Sequence, residues 1–227
     1  MPRLKMRSFL IRPVKGGREE VVFQFHKKHI TKHLWPRKIT EFEAFIEKGS
    51  LFELIEICAD DPERLIGICY LKEDDEYNKP GRRDEYGGIF LLEDCRSLGI
   101  PKAMGIAAIS QYLADNTYRH RIVAHVHINN RYPRRNLTED LGFKLVGQEI
   151  PPKGIPQLAD MEKNEDGDVV GDLFELQKEK LKKYADWLSR FKGKIEHEGR
   201  TSKFKIALPM MSNLKEIAKQ LRQAAKN

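Results

Sequence analysis

The residues with chemistry to offer fall in three short stretches. The first is Glu93-Asp94-Cys95-Arg96-Ser97-Leu98-Gly99-Ile100-Pro101-Lys102. The apolar run Ile89 to Leu92 precedes it behind Gly87-Gly88, and Met104, Ala107, Ala108, Tyr112 and Leu113 follow at helical spacing. A short bounded apolar run reads as a buried strand, so this text spells strand, turn, helix. Such a turn aims the free N–H groups of a helix N-terminus into one crevice, where the helix dipole favours an anion. Pro101 suits the first helical position, because its missing N–H costs little there. The second stretch, Arg121 to Asn130, alternates as a strand and puts His125 and His127 on one face. Imidazoles titrate near neutral pH and can move protons, although a sheet histidine can equally be a packed one. The third stretch holds His26, His29 and His33 at spacings that can share a helical face. No carboxylate or cysteine completes a metal set, and Lys27, Lys28 and Lys32 would repel a cation, so a basic solvated face is expected and no metal.

These residues need elements to hold them. Ser8 to Pro13 reads as a strand, and Glu19 to Leu34 as an amphipathic helix broken at Trp35-Pro36. Thr40 with Glu43 resembles a capping box, ahead of a helix with Phe42, Phe45 and Ile46 on its apolar side. Leu51 to Cys58 and Leu65 to Leu71 form a hairpin around the Asp61-Pro62 turn. Lys72 to Asp84 is expected to be an exposed, charged loop without chemistry of its own. Pro133 to Leu141 makes a short helix closed at Gly142, and a strand starts there. Pro151 to Asp172 is a long hairpin connection, followed by a strand over Val169 to Gln177. Glu179 to Phe191 and Asn213 to Ala225 have helical spacing, with a brief strand at Lys203 to Leu208.

The 227 residues suit one core plus an extension. With 40% hydrophobic and 33% charged residues the chain is expected to be a soluble domain, and no apolar run approaches the roughly 20 residues of a membrane span. The basic N-terminus lacks a long apolar core and a small-residue cleavage site, so no secretory signal is expected. Three cysteines without C-x-x-C spacing read as thiols of a reducing compartment, with the cytoplasm as default. Residues 178–227 carry fourteen Lys/Arg against five Asp/Glu, so the net charge of +7 leaves −2 for residues 1–177. The basicity belongs to the tail, whose helical face suits phosphates or, equally, plain solvation.

Three pieces of text together resemble the GNAT acyl-CoA N-acyltransferase superfamily. They are Arg96-Ser-Leu-Gly99-Ile-Pro101 between strand and helix, Asn129-Asn130 at the end of the next strand, and Leu141-Gly142-Phe143. The resemblance covers roughly Phe9 to Gln177. It implies an α/β fold whose mixed central sheet is splayed at the coenzyme A site, over residues 1–177, with a basic, mainly helical C-terminal extension over 178–227.

The resemblance also assigns roles. The strand end Leu91-Leu92-Glu93 would pair with the pantetheine arm and supply the oxyanion N–H. Arg96, Ser97, Leu98, Gly99, Ile100, Pro101 and Lys102 would hold the pyrophosphate, with Asn130 on the neighbouring strand end. Pro101 departs from the family's Gly/Ala and removes one donor, which Lys102 would partly replace. Glu93 is the expected base, with His127 as a further candidate. Thr138 stands where the family often has a tyrosine acid, leaving Tyr132 or water. Arg131, Arg134 and Arg135 would meet coenzyme A phosphates or only make the surface basic. His29 to Ile39 would face the acceptor. The spacing from Asn130 to Gly142 is one residue longer than the common pattern.

The implied activity is transfer of an acetyl or acyl group from acetyl-CoA to a primary amine by direct attack, without a covalent enzyme intermediate. The amine belongs to a small molecule or a protein. The rival is an impaired domain of this fold, docked by its basic tail to nucleic acid or a protein partner. No membrane is expected, and the oligomeric state stays open.

Overall fold

The computed structural model describes residues 6–58, 63–74, 83–96, 98–115, 121–153, 155–197 and 199–226. In chain order these form β1 (Ser8–Pro13), α1 (Glu19–His29), α2 (Ile39–Glu47), β2 (Leu51–Glu56), β3 (Arg64–Glu73), β4 (Arg83–Leu91), a 3₁₀ turn (Glu93–Cys95) and α3 (Ile100–Asp115). Then come β5 (Arg121–His127), α4 (Tyr132–Arg135) running into a π-helical turn (Asn136–Leu141), β6 (Phe143–Glu149) and β7 (Gly171–Leu176). The extension adds α5 (Lys178–Arg190), β8 (Lys194–His197), β9 (Arg200–Ile206) and α6 (Leu214–Ala224). Among the described residues, all the strands join one mixed sheet in the order β6-β7-β5-β4-β3-β2-β1-β9-β8.

The two faces of the sheet are covered differently. Val22, Phe42 and Phe45 bring α1 and α2 onto Leu51, Ile68 and Tyr70. The other face packs α3, α5 and α6 against Phe9, Ile11, Phe52, Leu54, Tyr86 and Leu91. Buried residues lie all around α3, from Ile100 to Leu113, because it is covered by the sheet on one side and by α5 and α6 on the other. Small residues permit that approach: a Cβ on Gly105 would sit 2.6 Å from a methyl of Leu141.

Several local expectations shift. Helix α1 stops at His29, because Ile30 takes extended geometry (φ −63°, ψ 140°), so His33 lies outside it. The α2 cap is Lys38, whose N–H donates to Glu41 Oε2 at 2.7 Å, in place of Thr40 with Glu43. The expected charged loop is largely strand at its ends. Lys72 belongs to β3, while Arg83 and Asp84 open β4 and are buried. Residues 75–82 and the Asp61-Pro62 turn lie outside the described residues. The extra residue between Asn130 and Gly142 is absorbed by the π-helical turn, the geometry a helix adopts when one residue is inserted.

The extension is built into the core. Strand β9 runs parallel to β1, with Phe9 opposite Phe204 and Ile11 opposite Ile206, and β8 pairs with β9. Tyr184 donates its hydroxyl to Leu141 O at 2.8 Å, and Gln111 of α3 accepts the Met210 N–H at 2.8 Å. Residues 178–226 therefore contribute two strands as well as the expected helices.

The feature that shapes the sheet is in β4. Tyr70 faces Gly87 and Ile68 faces Phe90, so Gly88 and Ile89 together oppose Cys69. This bulge needs Gly88. Its φ is +56°, and a Cβ there would lie 2.2 Å from the Tyr70 ring. Bulges raise local twist and bend the strand. Gly88→Ala should cost about 3 kcal/mol, from backbone strain and the ring clash together. Urea unfolding of the two proteins would check this; a loss below about 1 kcal/mol would show that Gly88 is replaceable.

Candidate functional site

Strands β4 and β5 pair in parallel only at Arg83–Arg121, Asp84–Ile122 and Glu85–Val123. Beyond Glu85 they part, while β5 stays paired with β7 as far as His127 and Gly171. The opening is a V whose closed end is at Glu85 and whose mouth lies past Leu91. Backbone groups alternate sides along a strand. The Leu92 N–H donates across to Ile66 O at 2.9 Å, so Leu91 turns its own N–H and C=O to the open side. Phe90 is paired with Ile68, and Ile89 also turns outward. Leu92, expected to face a ligand, spends its N–H on β3.

At the mouth the chain turns into α3. Arg7 fastens the 3₁₀ turn: it reaches Glu56 at 2.6 and 2.9 Å, Asp94 Oδ2 at 2.9 Å and Cys95 Sγ at 3.1 Å. Glu93, the expected base, is exposed there, at the start of the 3₁₀ turn. Gly99 takes φ +68°, and Leu98 and Ile100 bury their side chains, so each offers only backbone to a ligand. The first-turn N–H groups of α3 have no intrahelical acceptor, apart from Pro101, which has no N–H to offer. Lys102 is half-exposed on that turn, and Ser97 lies outside the described residues. Strand β8 seats against the turn: a Cβ on Gly99 would meet Ile195 at 2.9 Å and His197 at 3.3 Å. The tail thus braces the side of Gly99 that its missing side chain leaves open.

The closed end holds a buried polar cluster. Glu85 has cationic neighbours on three elements: Arg37 and Lys72 at 3.5 Å, and His125 Nδ1 at 3.8 Å. Arg37, from the α1–α2 connection, also donates to the Tyr70 hydroxyl at 3.0 Å and to Glu41 at 3.0 Å. His125 Nε2 lies 2.9 Å from Glu149, which Arg83 grips with two hydrogen bonds of 3.0 and 3.2 Å. Burial alone would push Glu85 up, but His125, Lys72 and Arg37 together hold it well below the usual carboxylate range. The reverse applies to His125: burial disfavours its charge, and Glu85, Glu149 and Asp74 more than restore it. Glu85 is thus an ionised carboxylate where the two strands part.

The other expected site residues have separate fates. His127 Nε2 is 2.8 Å from the Glu162 carbonyl, which can only accept, so that nitrogen carries the hydrogen. Its Nδ1 accepts the Asn129 N–H at 3.2 Å. Both nitrogens are therefore engaged by backbone groups. His33 stacks on it at 4.9 Å and meets Glu162 at 2.8 Å, and Glu162 also takes Lys32 at 2.6 Å and Asn129 at 2.7 Å. Lys32 first, then His33 and Asn129, hold Glu162 down to about 2. Trp35 packs with Leu158, Met161 and Val169, so the α1–α2 and β6–β7 connections form a roof beside the V. His29 stacks on Phe90 at 4.8 Å, and burial followed by Lys28 favours its neutral form. His26, His29 and His33 therefore face three different neighbourhoods and make no metal set. Asn130 donates its N–H to His127 O at 2.8 Å and closes the turn after β5. Thr138 turns its hydroxyl back to Arg134 O at 2.9 Å, and Tyr132 stands 76% exposed at the mouth. Arg134 is taken by Asp172 and Ile128 O, and Arg135 by Glu139.

With this geometry in hand, three solved structures are informative. A chain of the NatC complex bound to Gag peptide and CoA aligns with TM-score 0.53 and 17% identity, over 74% of this chain and 96% of that one. Arabidopsis thaliana NAA60 in complex with acetyl-CoA gives 0.53 and 17%, over 74% and 97%. Arabidopsis thaliana Naa50 in complex with the bisubstrate analogue CoA-Ac-MVNAL gives 0.51 and 12%, over 74% and 97%. The chain has the GNAT acyl-CoA N-acyltransferase fold. No family model and no curated protein matches the sequence. Nearly the whole of each GNAT structure is matched by about three quarters of this chain. Among the described residues no helix is long and apolar enough to cross a membrane.

Burial also sets a pH limit on the α1 side of the site. His26 is 2% exposed against Phe42, and desolvation followed by Arg37 lowers it from 6.5 to about 4. The unfolded chain therefore binds a proton below pH 6.5 that the folded protein refuses until about pH 4. Stability should fall as pH drops through that window, by about 3 kcal/mol in all, and His26→Phe should flatten the fall. Denaturant midpoints measured between those two pH values test this; an unchanged slope in the variant would place the titration elsewhere.

Proposed function

We propose that this chain is an acetyl-CoA-dependent N-acyltransferase that acylates a primary amine by direct attack. The observation that carries the reading is the V between β4 and β5, with an unpaired strand edge on one side and an ionised carboxylate at its closed end. The residues fit the cosubstrate. The outward N–H and C=O of Leu91 suit an amide-bearing arm, and the Gly99 turn at the start of α3 suits a diphosphate. The loss of one donor at Pro101 leaves Gly99, Ile100 and Lys102 to hold it.

Acetyl-CoA supplies an acyl group activated as a thioester. The Ile89 N–H, the outward donor nearer the closed end, would donate to the thioester carbonyl and to the charge that grows on it, an electrostatic contribution usually among the largest. Glu85 would attract the acceptor's ammonium and orient it, and solvent would take the proton as the amine attacks. Arg37, Lys72 and His125 keep that carboxylate charged and fixed. Among the described residues, Tyr132 offers a hydroxyl at the mouth that would protonate the departing thiolate, since Thr138 is turned into its own helix. Burial pushes Cys69 up to about 12 and Cys95 up to about 11, which supports direct attack without an acyl-cysteine. The acceptor would enter beneath the roof that the α1–α2 and β6–β7 connections make together, so a small amine or an extended chain end fits better than a side chain on a folded surface.

Acetyl-CoA at about 100 times its Kd should stabilise the fold by roughly 2.7 kcal/mol. With an acceptor panel and free-thiol detection, Glu85→Gln should lower kcat by about 10²- to 10⁴-fold while leaving the acetyl-CoA Kd nearly unchanged. No stabilisation at millimolar acetyl-CoA would reject the reading. Full activity in Glu85→Gln would remove only the role given to that carboxylate.

A further inference from the structure

Arg96 stands in the mouth of the V and touches both of its arms. Its Nε–H donates to the Leu91 carbonyl at 2.9 Å. Its guanidinium carbon lies 5.9 Å from the centre of the Phe90 ring and 5.0 Å from that of Tyr132. Phe90 belongs to β4, and Tyr132 opens the helix that follows β5. The Leu91 carbonyl is one of the groups turned to the open side. An extended ligand laid along this edge would use it as the acceptor for its own amide. Arg96 and such a ligand therefore compete for one oxygen.

We propose that Arg96 is an exchangeable bar across the cosubstrate site. In the free protein it closes the mouth, seated on Leu91 and Tyr132. When the arm of an acyl thioester pairs with Leu91, the guanidinium is released and turns to the ligand's diphosphate at the Gly99 turn, three residues on. This rests on the acyl-CoA reading given above. Arg96 is exposed, so its movement disturbs little packing. A guanidinium can grip phosphate through two parallel hydrogen bonds, a stronger contact than the neutral carbonyl offers. The exchange thus runs forward only for a ligand that brings phosphates. An arm without them must displace the bar and receives nothing in return.

The two ligand types should therefore respond oppositely to loss of the side chain. The test is titration of the full-length ¹⁵N-labelled protein, native and Arg96→Ala, with S-acetylpantetheine and separately with acetyl-CoA. Amide shifts of Ile89 and Leu91 report binding, and the melting temperature of each unliganded protein confirms the fold. Arg96→Ala should bind S-acetylpantetheine several-fold tighter and acetyl-CoA about tenfold weaker than the native protein. If the variant weakens both ligands, or leaves S-acetylpantetheine binding unchanged, the bar is wrong and the acyl-CoA reading stands. If the native protein binds neither ligand, the acyl-CoA reading falls and the bar falls with it.

Discussion

Between Tyr70 and Ile68 of β3 there is room for one residue, and β4 must fit two, Gly88 and Ile89, alongside it. The extra residue bends β4 away from β5 just past the last parallel pair, Glu85 with Val123. It also reverses which side chains face which layer, so that Glu85 and Phe90 both meet the α1–α2 side although they are five positions apart, an odd spacing. Only a glycine can sit at this bend, because the Tyr70 ring fills the space where a side chain would go. The open strand edge, the direction of the Leu91 carbonyl and the position of Glu85 all follow from that one irregularity.

A parted sheet exposes backbone and draws charge inward, and the surroundings compensate for both. Glu85, His125 and Glu149 alternate in sign between Arg37 and Lys72 on one side and Arg83 on the other. Removing one partner from such a cluster leaves another charge buried without compensation, which is why these groups come as a set. The turn at the mouth is held from two directions, by Arg7 through Asp94 and Cys95, and by Ile195 and His197 against Gly99. The C-terminal extension thus belongs to the architecture of the site. Its strands lengthen the sheet at β1, and its helices cover α3.

Much of this was legible in the sequence where the text is local. Arg96 to Pro101, Asn129-Asn130 and Leu141-Gly142-Phe143 mark turns whose geometry depends on neighbouring residues, and they led to the fold. Glu85, the carboxylate proposed to orient the acceptor, did not emerge in the same way. Arg83, Asp84 and Glu85 open β4 with charges, so hydrophobic patterning began the strand at Ile89 and left Glu85 between the charged loop and the strand. The available signal was Tyr86-Gly87-Gly88, an aromatic followed by two glycines, which marks a bulge inside a strand and places Glu85 before it. The Glu162 carbonyl that engages His127 lies far along the chain in a connection with no periodicity. Strand β8 is four residues long, too short for alternation to stand out, and it exists because β9 is there to pair with it.

The central claim is that β4 presents an unpaired edge past Glu85, and that an acyl-CoA arm completes it. Amide hydrogen exchange, read residue by residue with and without acetyl-CoA, measures this directly. The account predicts rapid exchange at Ile89 and Leu91 in the free protein and at least about tenfold slowing with ligand, while the Glu85–Val123 ladder stays protected throughout. Slow exchange at Ile89 and Leu91 in the free protein, or exchange indifferent to millimolar acetyl-CoA, would contradict it.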